Sequence, residues 1–175
     1  MKTIGYLGLG VMGYGMTSNL IQKSGGPVYG YDPVPEARAR FAANGGVALE
    51  SVEELYRTCD IICECLPTNE IVRATVTDIM NTARPGTIIV DMGSTSPYII
   101  QELHAQAKEK DIHLLDSPVS GGKTGADAGT LVIMCGGDLE TFEAVRPYLE
   151  MMGKTVTYMG PSGCGSAAKV ANNMM

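Results

Sequence analysis

Residues 3–13 read TIGYLGLGVMG, and this stretch decides the fold because an apolar strand pattern runs directly into closely spaced glycines. Gly8, Gly10 and Gly13 have the G-x-G-x-x-G spacing. In such a turn the first glycine allows the tight bend, the second lets a diphosphate approach the backbone, and the third lets the next helix lie close to the strand. The stretch therefore predicts a βα unit whose helix N-terminus binds a dinucleotide.

Short apolar runs alternate with amphipathic stretches along the rest of the chain. This alternation requires right-handed crossovers and a mostly parallel sheet. The apolar runs IIC and TIIV are typical of strands buried on both faces, although the acidic residues Glu64 and Asp91 stand at their ends. We therefore predict an α/β fold of the Rossmann type, doubly wound, with a mostly parallel sheet. The predicted strands after TIGYL are VYGYD, DIICECL, GTIIVDM, IHLLDSP, TLVIMCGG and KTVTYMG, and the predicted helices cover residues 13–23, 35–44, 72–81, 97–110 and 139–149.

The bulk composition is that of an ordinary globular domain, with 45% hydrophobic and 18% charged residues. A net charge of -6 argues against nucleic acid and anionic membranes as partners and favours a small ligand. No targeting signal is visible, and no apolar run approaches the roughly 20 residues of a membrane span, so we expect a cytoplasmic protein. The five cysteines lack C-x-x-C spacing, which predicts free thiols and no metal site.

Asp32 ends the second predicted strand, near the offset of about 20 residues at which a carboxylate accepts hydrogen bonds from the adenosine ribose. A carboxylate here also repels a 2′-phosphate. The residues that follow are Pro33, Val34 and Pro35, so no cation stands immediately after Asp32 to attract that phosphate. These features favour NAD over NADP. The alternative is that the glycines only make a tight turn and Asp32 only caps a helix.

Two further segments fall where predicted strands end. LPT contains Leu66 and Pro67 after the third predicted strand, and GST contains Thr95 after the fourth. Ligands bind at the carboxyl edge of an open α/β sheet, so these residues are candidates for contact with the cofactor. A proline that ends a strand and a hydroxyl residue that caps a helix would give the same pattern, and that alternative stays open.

A third glycine-containing segment supplies candidate substrate contacts. Ser120, Gly121 and Gly122 follow the strand end in DSPVSGG. Two successive glycines leave backbone amides free to point into a cleft, and a neighbouring hydroxyl completes a nest suited to a carboxylate. Lys123 could assist in binding an anion. A flexible loop without function, with Lys123 in solvent, is the alternative.

The last segment, GCGSAAKVANNMM, is the start of a helix in which Lys169, Asn172 and Asn173 share one face because they are spaced i, i+3 and i+4. A lysine can accept the hydroxyl proton when an alcohol is oxidised by hydride transfer. A solvent-exposed lysine is the common alternative. Since GPSGCG is the first break in the pattern, we assign residues 1–162 to the dinucleotide-binding domain and residues 163–175 to the start of an interdomain helix.

Taken together, these segments resemble the β-hydroxyacid dehydrogenase family. That family includes 3-hydroxyisobutyrate dehydrogenase, tartronate semialdehyde reductase and, more distantly, 6-phosphogluconate dehydrogenase. The resemblance covers the whole chain and rests on motifs in the family's order, which are GLGVMG, CLP, DMGSTSP, DSPVSGGKTGADAGTLVIMCGG and GCGSAAKVANN.

The resemblance also implies roles for single residues. Lys169 is similar to the family's catalytic lysine and Asn173 to the asparagine that orients the substrate. Asn172 matches the first of the asparagine pair, with a less defined role in substrate binding. The substrate carboxylate is implied to bind at Ser120, Gly121 and Gly122. The implied cofactor-binding residues are Gly8, Leu9, Gly10, Val11, Met12, Gly13, Asp32, Leu66, Pro67 and Thr95.

The resemblance implies hydride transfer between NAD and a small 3-hydroxyacid, or reduction of the corresponding semialdehyde such as tartronate semialdehyde. The alternatives are a decarboxylating enzyme of the 6-phosphogluconate dehydrogenase kind and a non-catalytic dinucleotide-binding module. It also implies that the family's C-terminal all-helical domain is absent here. We therefore expect weak NAD binding, little turnover by this chain alone, and a dimer or tetramer for the full-length form.

Overall fold

The computed structural model describes residues 1–175 without a gap. The strands are β1 (Ile4–Leu7), β2 (Val28–Tyr31), β3 (Val47–Ala48), β4 (Ile61–Glu64), β5 (Ile88–Asp91), β6 (His113–Asp116), β7 (Val119–Ser120), β8 (Leu131–Gly136) and β9 (Gly153–Gly160). The helices are α1 (Val11–Lys23), α2 (Pro35–Ala43), α3 (Val52–Thr58), α4 (Asn69–Thr82), α5 (Pro97–Glu109), α6 (Gly122–Ala128), α7 (Leu139–Met152) and α8 (Cys164–Met174).

All strands join one sheet in the order β3-β2-β1-β4-β5-β6-β8-β7, and β9 pairs with the other side of β8. The pairs from β3 to β6 are parallel, and β8 runs antiparallel to β6 and β7. The predicted mostly parallel, doubly wound fold is therefore confirmed. The chain leaves β1 toward β2 and returns to the other side of β1 at β4, so a crevice opens between the carboxyl ends of these strands.

Helices cover both faces of the sheet, because each helix turns an apolar stripe toward it. On one face Met16 and Leu20 of α1 pack with Leu149 of α7. On the other face α3, α4 and α5 contribute buried residues that include Leu55, Val76, Ile79, Ile100 and Leu103. All residues of β4 and β5 are buried, as their apolar sequences predict. No helix of the structure is long and apolar enough to cross a lipid bilayer.

Four short elements were not predicted from the sequence, namely β3, β7, α3 and α6. Strands β3 and β7 have only 2 residues each, too few to show an alternating pattern. Helix α3 does have a start signal, because the Ser51 side chain accepts a hydrogen bond from the Glu54 amide. Since β3 was missed, the prediction placed LPT after the third strand and GST after the fourth. That numbering is wrong, and these segments follow β4 and β5.

Candidate functional site

The glycine turn between β1 and α1 has the steric form that its spacing predicts. Gly8 has a φ of 89°, in the region that favours glycine. A Cβ on Gly13 would lie 1.9 Å from the Gly8 carbonyl oxygen, so only glycine allows the helix to pass this close to the turn. A Cβ on Gly10 would meet nothing within 4 Å. Gly10 therefore leaves open space above the backbone, where a ligand can approach.

A cavity of about 670 Å³ adjoins this turn at the crevice between β1 and β4. It brings together most of the residues assigned to the cofactor from the sequence, which are Gly8, Gly10, Val11, Met12, Gly13, Asp32, Leu66 and Pro67. Leu9 does not line it, because its side chain is buried beneath the turn. The lining also includes residues that sequence reasoning missed, namely Leu7, Tyr31, Pro33, Val52, Tyr56, Cys65, Ile71 and Thr75.

The Asp32 carboxylate is held in place by backbone amides. Oδ2 accepts a hydrogen bond from the Leu9 amide at 2.8 Å, and Oδ1 accepts one from the Val34 amide at 2.8 Å. A carboxylate has about four acceptor positions, so Asp32 keeps acceptor capacity for a ligand in the cavity. An arginine also lies near, since Arg38 Nη1 donates to the Asp32 carbonyl oxygen at 2.7 Å. The sequence-based prediction of NAD considered only Pro33, Val34 and Pro35, so it did not include this cation.

Thr95 lies apart from the cavity. Its side chain is buried and lies beside the carboxyl group of Asp91. Thr68, the last residue of LPT, accepts a hydrogen bond from the Ile71 amide and caps helix α4. The open alternative of a capping residue therefore applies to Thr68, whereas the role of Thr95 at the cofactor stays a prediction.

A second cluster forms where α8 meets β7. Lys169 Nζ donates a hydrogen bond to Ser120 Oγ at 2.8 Å, and Asn172 Nδ2 donates to the same oxygen at 3.1 Å. Because Ser120 Oγ accepts both, its own hydrogen stays free to be donated to a further group. Asn173 is exposed and makes no side-chain hydrogen bond, so the structure brings together three of the four polar residues expected here.

Asp116, at the end of β6, anchors the helix that carries Lys169. Its Oδ1 accepts a hydrogen bond from the Gly163 amide at 3.0 Å, and its Oδ2 accepts one from the Ser166 amide at 2.8 Å. A Cβ on Gly165 would lie 2.5 Å from the Asp116 carbonyl oxygen, so this part of α8 rests directly on the sheet. Burial raises the pKa of Asp116, and the amides of Gly163 and Ser166 oppose that shift. Sequence reasoning did not identify Asp116.

Gly121 and Gly122 form the start of helix α6 rather than a longer loop. Their φ angles are 135° and 61°, both in the region that favours glycine. The first amides of a helix have no acceptor within the helix, so the amides at this end are available beside Ser120. Lys123 forms an exposed ion pair with Asp127 one turn along the helix, and its part in anion binding stays a prediction.

The thiols of the chain are all free, as predicted. Cys65 is the one that lines the cavity, and its sulfur lies 3.9 Å from the Met92 carbonyl oxygen. Burial, together with the neighbouring carboxyl groups of Glu64 and Asp91, raises the pKa of Cys65 to about 12. Since the thiolate is the reactive form, the raised pKa disfavours a nucleophilic role for Cys65 at neutral pH.

Comparison with known proteins finds relatives that align with the whole chain. The chain is 43% identical over its full length to a protein of Mycobacterium bovis named probable 3-hydroxyisobutyrate dehydrogenase, and it covers 59% of that protein. It is 37% identical to the NAD-dependent L-serine dehydrogenase of Pseudomonas aeruginosa, again covering all of this chain and 59% of the relative. The chain thus spans about three fifths of the length of these curated relatives.

A solved structure shows the same fold. The 3-hydroxyisobutyrate dehydrogenase of Mycobacterium tuberculosis, described with L-serine, superposes with a TM-score of 0.95 at 43% identity, covering 99% of this chain and 60% of that one. A family profile described as the NAD binding domain of 6-phosphogluconate dehydrogenase matches residues 3–160. The chain therefore belongs to the family of that nicotinamide dinucleotide-binding domain, and its relatives are oxidoreductases of the 3-hydroxyisobutyrate dehydrogenase family.

Proposed function

We propose that the chain binds NAD and supplies the proton-transfer residues for hydride exchange between NAD(H) and a small 3-hydroxyacid or its semialdehyde. The observation that carries this proposal is the convergence of Lys169 and Asn172 on Ser120. A domain that only binds a dinucleotide has no use for an ammonium group held against a hydroxyl beside free helix amides.

The residues at the cavity fit a dinucleotide. The space above Gly10 admits a diphosphate, and α1 begins there without any side chain that caps its amides. These amides and the positive end of the helix dipole stabilise negative charge. Asp32 would accept hydrogen bonds from the adenosine ribose, while Leu66 and Pro67 would contact the cofactor across the cavity. The Asp32 carboxylate disfavours a 2′-phosphate, so we assign NAD rather than NADP.

The second cluster would hold and deprotonate the substrate. The free hydrogen of Ser120 and the amides of Gly121 and Gly122 suit a carboxylate. The bound nicotinamide ring would accept or return the hydride. In oxidation Lys169 Nζ takes the proton of the substrate hydroxyl as the neutral amine, and in reduction its ammonium form gives that proton back. Asn172 holds Ser120 in position, and Asn173 would orient the substrate.

Our proposal extends to the interdomain helix, the closure of the cleft and the oligomeric state. We assign residues 163–175 to an interdomain helix, and we expect a longer form of the protein to close the cleft and to form a dimer or tetramer. The chain alone should bind NAD weakly and turn over little substrate. A panel of 3-hydroxyacids assayed with NAD and with NADP, with this chain and with a form as long as its relatives, tests both expectations. Full activity of the shorter chain would contradict them.

The matching family profile is named after 6-phosphogluconate dehydrogenase, so 6-phosphogluconate is a second substrate to be tested. A phosphorylated sugar acid needs additional cations for its phosphate group. Near Ser120 the structure offers Lys169, which is committed to the hydroxyl, and Lys123, which is paired with Asp127. We therefore expect unphosphorylated hydroxyacids to be preferred. A higher kcat/KM for 6-phosphogluconate than for every small 3-hydroxyacid would reverse this assignment.

The glycine turn gives a direct test of cofactor binding. In the Gly10→Ala variant the new methyl group meets no protein atom within 4 Å, so the variant should fold normally. The same methyl group would occupy the space of the diphosphate, and NADH affinity should fall at least tenfold by fluorescence titration. Gly26→Ala is the matched control, because its Cβ would meet only the Met1 sulfur at 3.6 Å. Equal NADH affinity in both variants would show that this turn does not bind the diphosphate.

A further inference from the structure

A pair of buried carboxyl groups lies at the carboxyl ends of β4 and β5. Glu64 and Asp91 occupy paired positions in these neighbouring parallel strands, and both are 0% exposed. Side chains at paired positions of adjacent strands project to the same side of the sheet, which places the two groups against each other. Neither residue has a role in the chemistry described above.

The surroundings of this pair offer no positive charge. Asp91 Oδ1 accepts a hydrogen bond from the Gly93 amide at 2.9 Å. The other three oxygens, Glu64 Oε1 and Oε2 and Asp91 Oδ2, have no protein donor of ordinary geometry. The titratable groups near the pair are Tyr56 on α3, Cys65 directly after β4, and Asp116, which is paired with Asp91 in the register of β5 and β6. Tyr6 on β1 and Cys63 on β4 lie on the other face of the sheet. All of these are neutral or acidic.

Two adjacent carboxylates cannot both stay ionised in such a place. Burial raises the pKa of Glu64 well above its ordinary value, and the charge of Asp91 adds to this shift while the Leu66 amide opposes it. Burial also raises the pKa of Asp91, although the neighbouring Thr95 hydroxyl and the Gly93 amide favour its charged form. The Gly93 amide thus favours the negative charge on Asp91 and the proton on Glu64.

The loops that follow the two strands touch each other directly beside this pair. The Met92 amide donates to the Glu64 carbonyl oxygen at 2.8 Å. A Cβ on Gly93 would lie 3.3 Å from the Leu66 carbonyl oxygen, so the two backbones are in close contact. Leu66 and Pro67 of the first loop line the dinucleotide cavity. The distance between the two carboxyl groups therefore affects where the wall of that cavity lies.

We propose that Glu64 and Asp91 share a single proton, and that this carboxyl–carboxylate hydrogen bond holds the two loops together at the wall of the cofactor cavity. Glu64 is then a positioning residue, which acts on the cofactor through Leu66 and Pro67. Loss of the shared proton at alkaline pH leaves two negative charges side by side and drives the loops apart. The part of this proposal that concerns the cofactor rests on the proposed function, whereas the shared proton does not.

The bound proton is counted from the pH dependence of unfolding. The double variant Glu64→Gln/Asp91→Asn keeps the shapes and the hydrogen bonds but cannot hold the proton. Both carboxyls are ionised in the unfolded chain above about pH 5, so one extra proton in the folded state changes the unfolding constant tenfold per pH unit. From about pH 5 to about pH 8, the ratio of the unfolding constants of the original protein and the double variant should rise tenfold per unit. Glu109→Gln, which removes an exposed carboxylate, is the control. The ratio of the unfolding constants of the original protein and this control should not change with pH.

A constant ratio for the double variant would overturn the proposal, and a hundredfold change per pH unit would show two protons instead of one. Should the double variant fail to fold, infrared spectroscopy of the original protein decides the matter. A carbonyl stretch of a protonated carboxylic acid must then be present at neutral pH, where exposed carboxyl groups are ionised. Its absence would overturn the shared proton.

The positioning role is measured as NADH affinity from about pH 6 to about pH 9. We expect the affinity of the original protein to fall as the shared proton is lost, by up to tenfold per pH unit, and that of the double variant to stay level. Parallel profiles would overturn the positioning role. Failure of NADH to bind any variant would contradict the proposed function instead, while the unfolding measurement would still decide the shared proton.

Discussion

Lys169 Nζ lies 2.8 Å from Ser120 Oγ, and this hydrogen bond joins α8 to β7, two elements that lie far apart in the chain. Asn172 donates to the same oxygen from one turn further along α8. The hydroxyl of Ser120 is thereby oriented by two donors, and its hydrogen points away from both. Ser120, beside Gly121 and Gly122, is therefore a hydrogen-bond donor of defined orientation next to Lys169.

Removing the Ser120 hydroxyl should weaken substrate binding more than it weakens the fold. In Ser120→Ala the carboxylate of a 3-hydroxyacid loses one donor, and Lys169 loses the partner that orients it. We expect a loss of about 1–2 kcal/mol in substrate affinity, or roughly tenfold in KM, with a small change in unfolding free energy because Ser120 is not fully buried. The measurement is steady-state kinetics beside urea unfolding. An unchanged KM would remove Ser120 from the substrate site.

Asp116→Asn should loosen α8. An asparagine oxygen can accept from one of the two amides of Gly163 and Ser166, but its NH₂ group would face the other amide as a second donor. We expect a loss of about 1–3 kcal/mol in unfolding free energy and faster amide hydrogen exchange in α8. Thr124→Ala, an exposed change in α6, is the control. Unchanged exchange in α8 would show that Asp116 is not its anchor.

The pH dependence of this anchor has a defined sign. Burial raises the pKa of Asp116 above its ordinary value, so the folded state holds the proton more tightly than the unfolded state does. The stability linked to Asp116 is therefore complete below the ordinary aspartate pKa and is lost as pH rises through the raised value. Asp116→Asn should remove this component, which a series of urea unfolding curves from about pH 4 upward detects. An unaltered slope would contradict the raised pKa.

Gly13 and Gly10 of the dinucleotide turn should respond differently to alanine. A Cβ at Gly13 would lie 1.9 Å from the Gly8 carbonyl oxygen, which is backbone and cannot move without opening the turn. Gly13→Ala should cost about 1–3 kcal/mol or more in unfolding free energy despite the better helix propensity of alanine. Gly10→Ala should cost little, because its Cβ meets open space. Thermal unfolding compares the two, and equal stability would contradict the close packing of α1 on the turn.

Local signals predicted much of the fold. The glycine spacing at Gly8, Gly10 and Gly13 correctly gave the form of the turn, and the apolar runs before Glu64 and Asp91 gave strands buried on both faces. Both rest on side-chain periodicity and backbone sterics that act within a few residues. The alignment of Lys169 with Asn172 was predictable for the same reason, because helical spacing alone places them on one face.

The remaining features depend on contacts between distant segments. Asp116 holds α8 only because β6 ends beneath its first turn, and no spacing in the sequence expresses that contact. The pairing of Glu64 with Asp91 follows from strand register, which the sequence does not state. The ion pair between Lys123 and Asp127 was not predicted, although their i, i+4 spacing allows it. Asn173 lies about 100° around the helix axis from Asn172, and the i, i+3, i+4 spacing alone does not say which of the two contacts Ser120.

The most direct test of the central claim is the rate of 3-hydroxyacid oxidation by Lys169→Met, made in a form as long as the relatives and measured together with its NADH affinity. Methionine keeps the bulk of the side chain and removes the proton-transfer group. We predict a fall in kcat of about 10²–10⁴-fold with NADH affinity within about twofold of the original protein, and normal activity in the exposed control Lys154→Met. A Lys169→Met protein that keeps its kcat would contradict the assignment of Lys169 and the mechanism built on it.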